Sequence, residues 1–466
     1  MDGNISRRRV LAGLGAAGIT GLAGCASGDG TPEPTDGGGD STEQNGTVTA
    51  GGSVSGSVKI GVLQPVSGDL KYYGQQALWG FYQGFDYKGE GGFTPPAETG
   101  THTATVGDVD YELVVRDTQL SADQAQTLAT DLVQNEGVDM LFGCTSSASA
   151  TRVIKTVSTQ ANIPTLIGPA ASASITANAE TCSDVVFRTS ENTAMDARSG
   201  GKYVAENTDV EKVYLFGADY SFGRAVVNNY KTVLRANGVE IVGEKFVPRG
   251  YSEWDGLLDN AAAAGAGGIV AGFTVATLPQ LFTTYLNGGY DFSVFGGFAT
   301  QITTSIIGQT LQKVLGEPLT REKLQNAGLG PFTSRYHWNQ YDNPINDAFV
   351  ESYTNAYGIV PDLFTSGTFA ASSAIVQSVE ASGSTEGADI AAAMRGMTIA
   401  ETPKGEDAYT FQRYNNQARS AMTIADVVPS DEKNWNAAIM PSEPLARIGK
   451  DQTTIPADSD EMGCSL

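Results

Sequence analysis

Val138-Asp139-Met140-Leu141-Phe142-Gly143 runs straight into Cys144-Thr145-Ser146-Ser147-Ala148-Ser149, an apolar stretch of strand length that breaks into small hydroxyl residues. Its length and the glycine that ends it read as a buried strand rather than a helix. Just upstream, Ser121-Ala122-Asp123-Gln124 has the form of a capping box, in which the serine oxygen takes the amide three residues on and the glutamine reaches back. It opens a helix running to about residue 136. Outward from this unit, strand-like runs recur at 58–63, 111–117 and 164–168. A second series lies at 212–217, 240–247, 267–272 and 292–297, separated by amphipathic segments such as 222–236. Strands alternating with helices specify parallel sheets covered on both faces, and two such series specify an α/β chain of two doubly wound lobes.

In parallel sheets, ligands bind beyond the carboxyl ends of the strands, where backbone groups and helix starts point outward. Three loops there carry suitable chemistry. Residues 143–149 offer the hydroxyls of Ser146 and Ser147 to a carboxylate or similar anion. Residues 168–174, Gly-Pro-Ala-Ala-Ser-Ala-Ser, are small enough for backbone to approach a ligand. Residues 67–74 end in Tyr72-Tyr73-Gly74, an aromatic pair able to wall a pocket. Each also fits a plain reading as helix cap or loop.

The N-terminus reads as an export signal. Ser6-Arg7-Arg8-Arg9-Val10-Leu11 fits a twin-arginine motif ahead of a mildly apolar run. As a helix that run spans roughly 20 Å, short of the roughly 30 Å hydrocarbon core. Leu22-Ala23-Gly24-Cys25 resembles a lipobox, which makes Cys25 the lipidation site and residues 1–25 a signal peptide. Gly13, Gly15 and Gly18 spell GxGxxG, but with no strand before them they carry no nucleotide reading. Residues 26–57 are Gly, Ser, Thr, Pro and acid with no lysine or arginine, a disordered tether by composition.

Acids outnumber bases 52 to 29, for a net charge of −23. That balance argues against nucleic acid and anionic membrane as partners, so membrane contact is expected only through the lipid anchor. An acid excess with little lysine also suits multimolar salt, where charges are screened within about 3 Å, and points to a halophile. After lipidation Cys144, Cys182 and Cys464 remain. At most one internal disulfide follows; Cys182 with Cys464 is favoured, although spacing alone does not fix it. His102 and His337 are the only histidines, neither sits in a catalytic motif, and GxSxG is absent. A secreted hydrolase is therefore a remote alternative. No metal site and no cofactor are expected.

Ile60 to Gly68, Gly143 to Ala150, Ile163 to Ala171, Val186-Phe187-Arg188-Thr189-Ser190, Asp219-Tyr220-Ser221-Phe222-Gly223 and Phe411 to Gln417 together resemble, in order and spacing, the branched-chain amino acid binding proteins of ABC importers. The resemblance implies a type I periplasmic binding protein fold. Two doubly wound parallel-sheet lobes are then joined by a three-strand hinge, with crossings near Arg188, Phe332 and Pro403. The lobes would be 58–188 plus 332–403 and 189–331 plus 404–445, with 446–466 a C-terminal tail.

Function by the same resemblance is capture of a small polar metabolite outside the cell and delivery to permease and ATPase subunits. A sensor feeding a receptor is the alternative. Tyr73 would stack on the ligand, Ser147 and Ser172 would serve its carboxylate, and Ala171 would offer a carbonyl to an ammonium. Phe222 and Thr274 would complete the site from the second lobe. The family's ammonium-binding acid falls near Gly297-Phe298-Ala299, where this chain has none. Either Glu191 or Asp196 replaces it or the ligand is not an α-amino acid, which leaves amides, aromatic acids and small carboxylates open. Phe298 there favours an apolar or aromatic portion.

Overall fold

The computed structural model describes residues 54–68 and 71–466. The signal peptide, Cys25 and nearly all of the tether lie outside the described residues. Two sheets dominate. The first runs Gly100–Val106, Asp108–Asp117, Ser55–Gln64, Met140–Gly143, Thr165–Ile167, Val186–Arg188 in spatial order. The second runs Ala446–Ile448, Met422–Ala425, Leu329–Ser334, Ser293–Gly297, Gly268–Gly272, Lys212–Ala218, Glu240–Val247.

Both faces of each sheet are covered. Val58, Ile60 and Val62 face one core while Leu63, Val114 and Leu141 face another. In the second sheet Phe216, Ile269 and Val294 oppose Leu215, Val270 and Phe295 in the same way. Helix Ala122–Gln134 starts at Ser121, whose side chain accepts the Gln124 amide at 3.3 Å, and buries Ala125, Ala129 and Leu132. On the other face helix Thr365–Ser382 lies on helix Lys71–Lys88 almost backbone to backbone. A methyl carbon on Gly80 or Gly84 would fall 2.3 Å from Thr368 Oγ1 or 2.0 Å from Ser372 Oγ.

The sheets are not wholly parallel. Gly107, at φ +63°, turns Gly100–Val106 back antiparallel on Asp108–Asp117, and Met422–Ala425 and Ala446–Ile448 add antiparallel edges to the second sheet. Chain passages between lobes fall after Arg188, at Arg335 and at 420–421. The last is later than 403 because Tyr409, Phe411 and Ala418 bury in the first lobe's core, and only Met422–Ala425 joins the second sheet. The C-terminal tail, 446–466, is tied to the body of the protein. Ala446–Ile448 is a strand, the Gly463 amide donates to Ala177 O at 2.8 Å, and Cys464 is disulfide-bonded to Cys182, Cα to Cα 5.4 Å. Cys144 is a free, buried thiol.

Candidate ligand-binding site

The carboxyl ends of both sheets open onto one cavity of about 600 Å³ between the lobes. Tyr73, Ser146, Ser147, Ala171, Phe222, Thr274 and Phe298 all line it, as does Asp196. Ser172 and Glu191 do not. Ser172 turns back, its hydroxyl 2.8 Å from Ser174 Oγ while its amide donates to Ser147 Oγ at 3.1 Å. That bond ties the two loops together and leaves the hydroxyl proton of buried Ser147 free for a ligand. The Ala171 carbonyl already accepts the Thr193 amide at 2.9 Å, so it is a partly engaged acceptor for an ammonium.

Glu191 is withdrawn into the hinge. Its carboxylate sits 2.7 Å from Lys404 Nζ and accepts from Tyr409 and Ser420. Burial works to raise its pKa, but Lys404 and the Tyr409 hydroxyl together hold it below the ordinary range. A group so neutralised is no partner for a ligand cation. Asp196, the other candidate, does reach the place expected for an acid, since a methyl carbon on Gly297 would lie 3.8 Å from its carboxyl carbon. Both its oxygens, however, accept from the Arg335 guanidinium, which already neutralises it. Desolvation opposes the charge on Arg335, yet Asp196 raises its pKa further.

Beneath the first wall are braces that sequence reasoning missed. Gln64, fully buried, donates to Gly168 O at 2.6 Å and accepts from Thr145 Oγ1 at 2.6 Å, joining the loops after two neighbouring strands. Arg188, 0 % exposed, donates to the carbonyls of Ala170 and Ser172 at 3.0 and 2.7 Å and to Thr176 and Gln417. Burial pushes its pKa down to about 9, so it stays charged at neutral pH. Arg335 and Arg249 were also missed. Each follows the end of a second-sheet strand, the position already used to choose the other loops.

Across the cleft, Tyr73 Oη accepts the Val275 amide at 3.1 Å, and its ring leans on Phe364 at 5.5 Å. Neighbouring Tyr72 donates at 2.8 Å to Asp362, whose same oxygen accepts the amide of Gln301, first residue of second-lobe helix Gln301–Leu315, at 2.7 Å. Asp362 thus caps a helix of the opposite lobe, a favourable placement for negative charge. Neither histidine lines the cavity. His337 packs against Trp435, ring centroids 4.7 Å apart. No cluster of metal ligands occurs among the described residues.

The periplasmic binding protein family profile matches residues 57–433. The chain belongs to that family. A Leu/Ile/Val-binding protein homolog of Brucella abortus is 28% identical over 344 residues, covering 72% of this chain and 79% of its own. A periplasmic binding protein from Burkholderia mallei superimposes with a TM-score of 0.69 at 20% identity, over 88% of this chain and 99% of its own. A solute-binding protein of an ABC transporter from Rhodopseudomonas palustris, in complex with benzoate, gives 0.67 at 21%, over 88% and 100%. This family member is therefore built as a two-lobed binder of small molecules. Among its described residues no helix is long and apolar enough to cross a membrane.

Proposed function

We propose that this chain is the extracytoplasmic solute-binding protein of an ABC importer. It closes on an amino acid, amide or small carboxylate and presents it to the permease, driven by the partner ATPase. The observation that carries this reading is the single cavity lined by loops from both sheets. Relatives named for leucine, isoleucine and valine and a structural neighbour holding benzoate support it. Ser147 and the loop carrying Ala171 receive the polar head; Phe222, Thr274 and Phe298 are added when the second lobe closes. Tyr73 stacks on the ligand and holds the lobes together through Val275. Binding then shifts the protein to the closed form by its extra affinity for it. A lipid on Cys25 would keep the protein at the outer face of the membrane, on a tether of residues 26–57, in a salt-rich setting.

The test is native mass spectrometry of purified protein, followed by a melting-shift screen of amino acids, amides and carboxylates. A ligand at a hundredfold excess over Kd adds about 2.7 kcal/mol of stability. Tyr73→Ala is expected to lower affinity at least about tenfold, since both the stacking face and the bridge to Val275 go. Calorimetry showing undiminished affinity in that variant would move the site elsewhere. Mass analysis of the mature N-terminus, with or without a lipid on Cys25, checks the anchor.

A further inference from the structure

The charges around the cavity narrow the ligand class. Two carboxylates reach its wall, those of Asp196 and Asp219. Asp196 is held at both oxygens by Arg335, and Asp219 is paired with Arg224. The hinge acid Glu191 is neutralised by Lys404. Each carboxylate on the wall is therefore already beside a guanidinium, and the cleft-spanning Asp362 is engaged by Tyr72 and by the amides of Gln301 and Leu363.

Cations are left over. Arg188 is fully buried directly beneath the loop that contributes Ala171, and all its hydrogen bonds run to neutral oxygens. Arg249 stands exposed on the cavity wall beside Tyr220, with no acid partner among the described residues. Two unpaired guanidinium groups against one carboxylate without a cation, Asp362, leave an excess of positive charge at this cleft in a chain of net charge −23. The rest of the wall is largely aromatic and aliphatic, including Phe222, Phe273, Phe282 and Phe298. A cavity of about 600 Å³ is also far roomier than a small polar head alone requires.

Resting on the solute-binding reading above, we infer that the ligand is a carboxylate with a bulky apolar or aromatic body and no ammonium group. Its carboxylate lies at Ser147, above Arg188 and within the field of Arg249. Its body fills the space bounded by Phe222 and Phe298. An α-amino group would have to share the Asp196 carboxylate with the Arg335 guanidinium, a like charge beside it, in a partly desolvated site.

Matched probes test this by titration calorimetry at pH 7, in low and in molar salt. 3-Phenylpropanoate is compared with L-phenylalanine, which adds the ammonium, and with 3-phenylpropanamide, which removes the charge. 4-Methylpentanoate, L-leucine and 4-methylpentanamide form an aliphatic set. In at least one set the acid should bind about tenfold or more tightly than both partners. Arg249→Gln, an exposed change, should weaken the acid severalfold in low salt and leave the amide unaffected. An amino acid binding as well as its deaminated acid, or a co-purified solute carrying an ammonium, overturns the inference while sparing the solute-binding reading. If folded protein binds no solute of any class in the wider screen, that reading fails and the inference falls with it.

Discussion

The two walls of the cavity are built on opposite plans. In the first lobe Ser147, Thr145 and the 168–174 loop are tied to one another and to fully buried polar side chains, Gln64 and Arg188, so the polar groups facing the ligand are fixed before it arrives. In the second lobe the wall is mainly phenylalanine and aliphatic side chain, and the Thr274 hydroxyl is buried with no hydrogen-bond partner. A preorganised polar wall sets orientation at little entropic cost, whereas an apolar wall contributes area when it closes and makes few directional demands. The difference teaches which lobe selects the head of the ligand and which its body.

Removing the brace of the polar wall breaks the comparison most severely. Arg188→Gln strands the carbonyls of Ala170 and Ser172 in the interior. The expected loss is about 3 kcal/mol of stability, together with ligand binding, measured by denaturant unfolding and calorimetry. If binding survives at full strength in the folded variant, the 168–174 loop holds its shape without that guanidinium.

A paired substitution sharpens the contrast between walls. Ser147→Ala removes a fixed donor and should raise Kd about tenfold, or ~1.4 kcal/mol. Thr274→Val keeps the size of a side chain that meets the apolar body of the ligand and should weaken binding less than Ser147→Ala, within about threefold. Should Thr274→Val cost as much as Ser147→Ala, the second wall also grips the head of the ligand, and its apolar character is not what matters there.

Much of this plan was legible in the sequence, and the exceptions have physical reasons. Met140–Gly143 and Gly268–Gly272 are covered on both faces, so they read as unbroken apolar runs bounded by glycine. The loops at their ends could then be located by rule. Gly100–Val106 was missed because an edge strand of alternating threonine carries little apolar signal. Leu329–Ser334 was missed because Pro331 interrupts it. Losing that strand hid Arg335 at its end. The pairing of Asp196 with Arg335 spans 139 positions in the chain, and no local pattern reports a contact made only when two hinge crossings come side by side. The later third crossing has the same origin: whether Tyr409 and Phe411 pack on the first or second lobe is decided by tertiary packing, which composition does not record.

A last prediction concerns the contact that joins the walls, and it is readable only as a difference in slope. Burial raises the Asp362 carboxyl to about 6, above the ~3.9 of an exposed aspartate. Between those values the native state keeps a proton the unfolded chain has released, so this group's contribution to stability falls as pH rises from about 4 to 6. His337 works in the other direction. Burial lowers it to about 4, below the usual ~6.5, so in the same window the unfolded chain binds a proton that the native state rejects, and stability rises with pH. The two slopes oppose each other in the parent. Asp362→Asn should therefore make stability climb more steeply with pH between 4 and 6, by about 1 kcal/mol per pH unit. His337→Gln should tilt it the other way, and the double variant should return to the parental slope. Urea unfolding at pH 4, 5 and 6 measures all three. An Asp362→Asn slope equal to that of the parent would mean the carboxylate is solvated when the lobes meet, and that its cap on helix Gln301–Leu315 is not part of the closed state.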